Sequence, residues 1–221
     1  MLREQYYSTQ QLHGKMITTN ERNLIMTIII NNQPMEVTNE QIEVLKKALN
    51  IGGRQLSDVA VGDTFTVADT EFIHFGDGIA VTKDSLYDAE FGDTNNFAKC
   101  SLLKTLKKNF LPKIIKAVGE DNMLEFETDL ISLDGLKDFG TMKSKVSLPT
   151  FDFYREHTEI FEKHKLDIWW WLATPWSTER RGYKYFVVCV TPNGYVNGNG
   201  FYNINFGVRP FCRFNPSIFV S

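Results

Sequence analysis

Residues 168–176 read IWWWLATPW, and they hold all four tryptophans of this 221-residue chain. In a β-strand, side chains alternate between two faces, so Trp169 and Trp171 would lie on one side and Trp170 on the other. Pro175 cannot donate a ladder hydrogen bond and is expected to close the strand. Each buried tryptophan removes about 150–250 Å² of surface from water. The window therefore favours the core of a domain, with a binding platform and a catalytic pocket as the alternatives.

The composition is that of an ordinary globular protein, with 43% hydrophobic and 23% charged residues and a net charge of −3. One lysine cluster recurs at helical spacing, formed by Lys104, Lys107, Lys108, Lys113 and Lys116. It predicts a solvated helix face rather than the basic footprint of a nucleic-acid-binding protein. The apolar run LIMTIII (24–30) is shorter than the ~18 residues that cross a bilayer, and it lacks the layout of a signal peptide. We expect no nucleic-acid partner, no membrane span and no signal peptide.

The reactive side chains show no pattern that is typical of a catalytic or metal site. Cys100, Cys189 and Cys212 are odd in number and form no CxxC pair, and the four histidines have no HExxH spacing. These counts argue against a disulfide scaffold and a zinc site. GxSxG and Walker motifs are missing from the sequence. We expect buried thiols, no metal and no cofactor.

The first 25 residues are polar and show no periodic pattern. The stretch ERNLIM (21–26) can be encoded with a purine-rich ribosome-binding sequence ahead of Met26. One hypothesis is that translation starts at Met26 and that residues 1–25 are a non-native leader. A flexible N-terminal arm is the other.

Residues 26–56 are expected to form a small β-turn-α segment. LIMTIII predicts a strand that ends in a turn, and TNEQIEVLKKAL (38–49) predicts a short amphipathic helix. The main domain then covers residues 57–221. Its predicted elements are a β-meander over 61–84, a helix over 97–118 that Pro112 breaks or kinks, a helix over 150–164, a strand-turn-strand unit over 183–196 and a final strand over 207–214.

The segment 176–207 interleaves aromatic residues with asparagines. Tyrosine and asparagine combine apolar area with adaptable hydrogen bonding, as in antibody paratopes, although glycine and asparagine also simply build turns. Trp176 lies beyond the strand and is the tryptophan that we expect to be exposed. The candidate ligand contacts are Trp176, Arg180, Arg181, Tyr183, Tyr185, Asn193, Tyr195, Asn197, Asn199, Tyr202, Asn203 and Asn205.

Arg209 lies between apolar residues in FGVRPFCRF (206–214). A charge in such a strand is costly unless it is paired and hydrogen-bonded. We expect a structural clamp to a carboxylate or to backbone carbonyls near the tryptophan turn. The candidate structural residues are Trp169, Trp170, Trp171, Pro175, Gly207, Arg209 and Pro210.

The ordered series VGDTFTVADTEFIHF, NFAKCSLLKTLKKNFLP, WWWLATP, VTPNGYV and FGVRPFCRF resembles a bacterial and phage domain family of unknown function with W-W-L-x-[ST]-P and G-V-R-P motifs. The resemblance covers about residues 58–220, and the family is similar to the C-type-lectin-like fold, in the branch of formylglycine-generating enzymes. It implies an α+β fold with short antiparallel sheets and two main helices. The family usually has arginine where this chain has Ala173, and Arg180 and Arg181 are the candidates to replace it.

The segment 176–207 predicts a non-catalytic module that binds an unknown protein or glycan, and the resemblance implies that it is encoded by a phage or prophage and located on a virion, or in the bacterial cytoplasm before assembly. A structural capsid or tail subunit, attached to its neighbours through residues 26–53, is the alternative. An enzyme of the formylglycine-generating type is the third candidate. It needs a close cysteine pair, and Cys189 and Cys212 do not sit in that family's pattern. The asparagine and tyrosine density before Gly207 is also compatible with diversification by a retroelement.

Overall fold

The computed structural model describes residues 7–12, 15–20, 25–30, 33–38 and 53–221. The chain divides into two compact units, residues 1–53 and residues 54–221. Several short antiparallel sheets and few helices make up a mixed α/β fold. Within the described ranges, no helix has the length and apolar character needed to span a membrane.

The first unit contains a four-stranded antiparallel sheet in the order β1-β2-β3-β4. Its strands are β1 (Tyr7–Leu12), β2 (Lys15–Asn20), β3 (Ile25–Ile30) and β4 (Gln33–Val37). The strand predicted from LIMTIII is β3, since branched residues favour the extended chain.

Two features of the first unit differ from the sequence prediction. Strands β1 and β2 lie where no pattern predicts them, because their ladder needs only backbone groups, and β4 follows where only a turn was expected. The helix predicted over 38–49 lies outside the described residues apart from Thr38. The start of translation at Met26 stays a hypothesis.

The second unit begins with β5 (Arg54–Gln55), which pairs with the last strand, β18 (Phe219–Val220). The unit therefore starts at Arg54, three residues before the boundary predicted from the sequence, because its two ends pair with each other. The predicted meander follows as β6 (Thr64–Val67), β7 (Thr70–His74) and β8 (Ile79–Thr82).

The first long helix of this unit has three parts: α1 (Ser101–Thr105), a π-helical turn (Leu106–Phe110) and α2 (Leu111–Val118). Pro112 does not break it. Pro112 has no N–H to donate, and the π-turn directly before it, in which the N–H of Leu111 donates to the carbonyl of Leu106, shifts the hydrogen-bond ladder so that the helix continues. The five lysines of the cluster are all exposed on this helix, as expected for a solvated face.

The helix predicted over 150–164 is divided at His157 into α3 (Phe151–Glu156) and α4 (Thr158–Lys163). The hydroxyl oxygen of Thr150 accepts a hydrogen bond from the N–H of Phe153 at 3.2 Å and caps α3. Phe161 is buried, as its position in the apolar pattern predicts.

Two five-stranded sheets carry the rest of the second unit. The remaining strands are β9 (Asp88–Ala89), β10 (Phe126–Asp129), β11 (Thr141–Ser144), β12 (Val146–Ser147), β13 (Trp170–Pro175), β14 (Phe186–Val190), β15 (Val196–Gly200), β16 (Phe206–Gly207) and β17 (Phe211–Arg213). Sheet I has the order β12-β17-β8-β7-β6, and sheet II has the order β15-β14-β13-β16-β9, while β10 and β11 pair only with each other.

The expected single final strand over 207–214 is wrong. Its residues divide between the two sheets, because β16 pairs with β13 in sheet II while β17 pairs with β8 in sheet I. The chain crosses between the sheets at residues 208–210, where Pro210 has no N–H for either ladder.

Two hydrophobic clusters lie on opposite faces of sheet II. The first contains Trp171 and packs against the helix over 101–118. The second contains Trp170 and packs against α3 and α4 through Tyr154 and Phe161. Trp169 packs against the first cluster, so the three consecutive tryptophans alternate between the faces.

Candidate ligand-binding surface

The tryptophan window and the GVRP segment lie side by side. Strands β13 and β16 run parallel, with Trp170 opposite Gly207, and the N–H of Gly207 donates to the carbonyl of Trp169 at 2.7 Å. A Cβ on Gly207 would lie 2.7 Å from Cδ1 of Ile168 and 2.9 Å from Oγ of Ser85. A larger residue at position 207 would therefore require the side chains of Ile168 and Ser85 to shift.

Trp171 is fully buried. Its ring stacks on Phe206 with the centroids 4.2 Å apart, and its indole N–H donates to the carbonyl of Ala89 at 2.9 Å. The indole thus has both its apolar and its polar requirements met inside the protein. Pro175 ends β13, and its carbonyl accepts a hydrogen bond from the N–H of Leu133 at 2.9 Å.

Arg209 is completely buried. Its Nε–H donates to the carbonyl of Thr82 at 2.9 Å, and its guanidinium carbon lies 5.0 Å from the ring centroid of Trp170 and 5.5 Å from that of Phe161. Nη1 and Nη2 have no hydrogen-bond partner among the described residues. Burial lowers the pKa of Arg209 to about 10, so the group keeps its charge at neutral pH.

The expected partner of Arg209 was therefore only half right. A backbone carbonyl does accept its hydrogen bond, but that carbonyl belongs to Thr82 at the end of β8 rather than to the tryptophan turn. Aromatic rings take the place of the expected carboxylate, since the face of an indole attracts a cation. The carbonyl of Pro210 accepts from the N–H of Thr82 at 3.0 Å and fixes the same crossing.

Trp176 is half-buried, which corrects the expectation of an exposed ring. The ring lies against Gly198 on β15, so that a Cβ added to Gly198 would lie 2.7 Å from Cδ2 of the indole. Gly198 lies opposite Val188 in the ladder, and the ring joins the second hydrophobic cluster there. Because Gly198 has no side chain, the indole ring of Trp176 can pack against β15.

Arg180 and Arg181, two predicted ligand contacts, are paired with aspartates. Nη2 of Arg180 lies 3.0 Å from Oδ1 of Asp138, and Nη1 of Arg181 lies 3.5 Å from Oδ2 of Asp134. The side chain of Ala173 is buried in the first cluster. Arg180 and Arg181 thus occupy a different place from the arginine that the resemblance led us to expect at Ala173.

Serine and threonine hydroxyls complete these links. Oγ of Ser177 donates to Oδ2 of Asp134 at 2.7 Å, and Oγ1 of Thr178 donates to Oδ2 of Asp138 at 2.6 Å. Partial burial raises the pKa of Asp134, but hydrogen bonds from Ser132 and Ser177 and the charge of Arg181 outweigh it, and the net pKa lies below its ordinary value. The loop after the tryptophan window is therefore held to the loop over 130–140.

Sequence reasoning missed Asn95, which is 2% exposed. Its amide Nδ2 lies 2.8 Å from the carbonyl oxygen of Ser177, 3.2 Å from that of Phe186 and 3.4 Å from that of Tyr183. One amide group thus lies within hydrogen-bond distance of three carbonyls of the segment 177–186. No local pattern signals this role, because the acceptors lie more than 80 residues along the chain.

The segment held in this way presents a group of exposed rings. We call it the aromatic surface, and it comprises Tyr183 (53% exposed), Tyr185 (49%), Phe186 (38%) and Tyr202 (65%). The ring of Tyr202 lies over Gly200, which is the ladder partner of Phe186. The rings of Tyr183 and Phe186 lie 6.5 Å apart between centroids, and those of Tyr185 and Phe201 lie 5.9 Å apart. Phe186 was not among the predicted contacts, since it reads as a strand residue.

The predicted contacts do not all meet at this surface. Asn193 and Tyr195 belong to the turn at the other end of the β14–β15 hairpin, about 16 Å away at 3.3 Å per residue. Asn197, Asn199 and Asn203 accept hydrogen bonds from nearby backbone N–H groups. These three bonds match the alternative in which asparagines build local structure.

A polar cleft of about 160 Å³ lies at the start of α3 and is lined by Asp129, Ile131, Ser132, Leu133, Gly135, Thr150, Phe151, Asp152, Arg155 and Thr174. None of the predicted site residues lines it. The hydroxyl of Thr174 in this cleft already forms a hydrogen bond within the protein, since its Oγ1 accepts from the N–H of Phe151 at 2.8 Å. Arg155 pairs with Asp152 at 3.2 Å across its rim.

The three cysteines are buried and free. Burial raises the pKa of Cys189 to about 12 and that of Cys100 to about 12, and it raises the pKa of Cys212 further. Cys189 lies in β14 of sheet II and Cys212 in β17 of sheet I. In the part of the chain that the structure describes, no three His, Cys, Asp or Glu side chains gather as a metal site would require.

Comparison with known proteins finds one family. A family model described as a domain of unknown function (DUF6273) matches residues 130–216, which is less than half of the chain. The matched range contains the tryptophan window, the aromatic surface and the crossing at residues 208–210. No curated protein and no solved structure matches the chain.

Proposed function

We propose that residues 54–221 form a non-catalytic ligand-binding module and that the aromatic surface makes the contact. The observation that supports this most is the exposure of four large rings, one at the start of β14 and three in the turns beside it. Contiguous exposed apolar area on a protein surface is typical of a binding site. Tyrosine supplies large contact area at a low entropic cost because its side chain has only two rotatable angles.

The way the segment is held supports the same proposal. Asn95 fixes three of its carbonyls, and Asp134 and Asp138 hold its hydroxyls and its two arginines. A surface that is ordered before binding loses less conformational freedom when the ligand arrives. The contacts around Asn95 thus suit recognition by a preformed surface.

We take the fold to be C-type-lectin-like and the ligand to be a glycan or a protein on a host surface. Short antiparallel sheets, two principal helical segments and the adjacent tryptophan and GVRP motifs support the fold. The placement of the protein on a virion, as the product of a phage or prophage, rests on the resemblance alone. A sugar ring presents apolar C–H faces that stack on tyrosine rings.

The test is a glycan array, followed by titration of any hit against the double variant Tyr185→Ala/Tyr202→Ala. We expect this variant to lose about tenfold or more in affinity, since tyrosine is enriched among the few interface residues that carry most of the binding energy. Tyr195→Ala is the matched control, because Tyr195 is 72% exposed but lies at the far end of the hairpin. Equal losses in both variants, with the fold intact by circular dichroism, would count against the aromatic surface.

A structural subunit of a capsid or tail is the second candidate, favoured by the separate four-stranded sheet of the first unit. Light scattering on the full chain and on residues 54–221 distinguishes the two. Loss of an oligomer in the shorter chain supports an assembly role for residues 26–53. A formylglycine-generating enzyme has the least support, because Cys189 and Cys212 lie in different sheets.

A further inference from the structure

Strand β15 is a free edge of sheet II, and its sequence VNGNG alternates asparagine with glycine. In the described part of the chain, no strand pairs with its outer side. An edge strand presents N–H and C=O groups that are a template for pairing with another chain. Natural edges are usually protected by lysine, proline or a bulge, and residues 195–203 contain neither charged residues nor proline.

The register of the ladder shows which groups face outward. The N–H of Phe201 donates to the carbonyl of Tyr185 at 2.9 Å, so odd-numbered residues of this strand bond to β14. In an antiparallel pair the intervening residues direct their N–H and C=O groups away from the partner. The N–H groups of Gly198 and Gly200 therefore point away from β14, on the side where the carbonyl of Gly200 accepts from the N–H of Asn203 at 3.0 Å.

Both of these N–H groups are occupied by the side chain of the preceding residue. Oδ1 of Asn197 accepts from the N–H of Gly198 at 2.8 Å, and Oδ1 of Asn199 accepts from the N–H of Gly200 at 2.8 Å. The carbonyl of an added strand would have to replace each amide oxygen as the acceptor of that N–H. We propose that Asn197 and Asn199 guard the edge of β15 and prevent it from pairing with the same edge of a second copy of this chain.

The two glycines cannot hinder a partner strand themselves, so the protection of the edge has to come from the asparagine side chains. The rings of Trp176 and Tyr202 lie directly over Gly198 and Gly200 on one face of the strand. Side chains at these two positions would clash with the rings, so neither position carries a bulky or charged group that hinders a partner strand. A flat edge without such groups is prone to pairing. The side-chain oxygens of Asn197 and Asn199 make the N–H groups of Gly198 and Gly200 unavailable to a partner strand.

The first test is the double variant Asn197→Val/Asn199→Val, which removes both acceptors and raises the strand propensity of the edge. We expect sedimentation and light scattering to show concentration-dependent association beyond that of the wild type, with at least about a tenfold lower dissociation constant for self-association. Asn193→Val is the control, because Asn193 is exposed in the hairpin turn and the same substitution there adds apolar area away from the edge. A folded double variant that associates no more than the wild type overturns the proposal, and so does equal association of Asn193→Val.

The second test uses the wild-type protein and does not depend on the folding of a variant. Val196 lies on the same open edge, but Tyr195 precedes it and supplies no amide oxygen. Hydrogen exchange followed by NMR should give the amides of Gly198 and Gly200 protection factors about fivefold to tenfold higher than that of Val196, because only they have an acceptor. Equal protection at all three amides would show that the asparagine hydrogen bonds are not maintained in solution, and it would overturn the proposal.

Discussion

The guanidinium carbon of Arg209 lies 5.0 Å from the centre of the Trp170 ring, and this contact joins the two motifs that organise the second unit. Arg209 belongs to the crossing from sheet II to sheet I, and Trp170 begins β13. Its single hydrogen bond reaches Thr82 at the end of β8. The side chain therefore holds the sheets together where the backbone leaves one for the other.

The surroundings of Arg209 predict that lysine is a worse replacement than methionine. Lysine keeps a charge that needs hydrogen-bond partners, but its compact ammonium lacks the planar face that stacks on Trp170. We expect Arg209→Lys to lower the free energy of unfolding by about 2–4 kcal/mol, because the charge stays buried and poorly paired. Arg209→Met keeps the volume without the charge and should cost about 1 kcal/mol. Chemical denaturation at pH 7 compares them, and the reverse order would show that the positive charge itself is required.

The ring of Trp176 over Gly198 predicts coupled stability effects. Gly198→Ala places a methyl group into the indole and should lower the free energy of unfolding by about 1–3 kcal/mol. Trp176→Ala removes a half-buried ring and should cost about 1–2 kcal/mol, against about 3–5 kcal/mol for the fully buried Trp171→Ala. In the double variant Trp176→Ala/Gly198→Ala the methyl group has room, so the two losses should not add. Additive losses in denaturant melts would contradict the contact.

The local part of this fold follows from sequence periodicity. The strand period assigns Trp170 and Trp171 to opposite faces, and the apolar spacing of residues 102–110 indicates a helix, because both signals come from neighbouring residues. The crossing at residues 208–210 could not be predicted in this way. Its pattern continues without a break, and the division is decided by pairing with β13 and β8, which are distant in sequence.

The residues of the candidate site, too, could be predicted from the sequence only in part. Tyr185 and Tyr202 were found by composition, because runs of tyrosine and asparagine are unusual in a core. The half-burial of Trp176 depends on Gly198, which lies 22 residues later on another strand. Asn95 lies further still from its acceptors, and its role is visible only once the chain has folded.

The three carbonyls around Asn95 predict a difference between two replacements of this residue. Asn95→Ala removes the shared donor and should lower the free energy of unfolding by about 1–3 kcal/mol. Asn95→Asp keeps the shape but supplies only acceptors at neutral pH, so that its charge faces the carbonyls of Ser177, Tyr183 and Phe186. We expect the aspartate variant to be the less stable of the two. Thermal melts give the order, and a more stable aspartate variant would show that Nδ2 is not the group that holds the segment.

The contacts of Asp134 predict a loss of stability in acid. Hydrogen bonds from Ser132 and Ser177 and the charge of Arg181 hold its pKa below the ordinary value of 3.8 despite partial burial. A carboxyl group whose pKa is lower in the folded state stabilises that state above its unfolded pKa, and the contribution is lost as the pH falls through the folded value. The wild type should therefore exceed Asp134→Asn in stability by a constant margin from pH 7 down to about pH 4.5, and the margin should shrink below that. Urea titrations of both proteins between pH 7 and pH 3 measure it, and a margin that stays unchanged at pH 3 would show that the charge of Asp134 does not stabilise the loop.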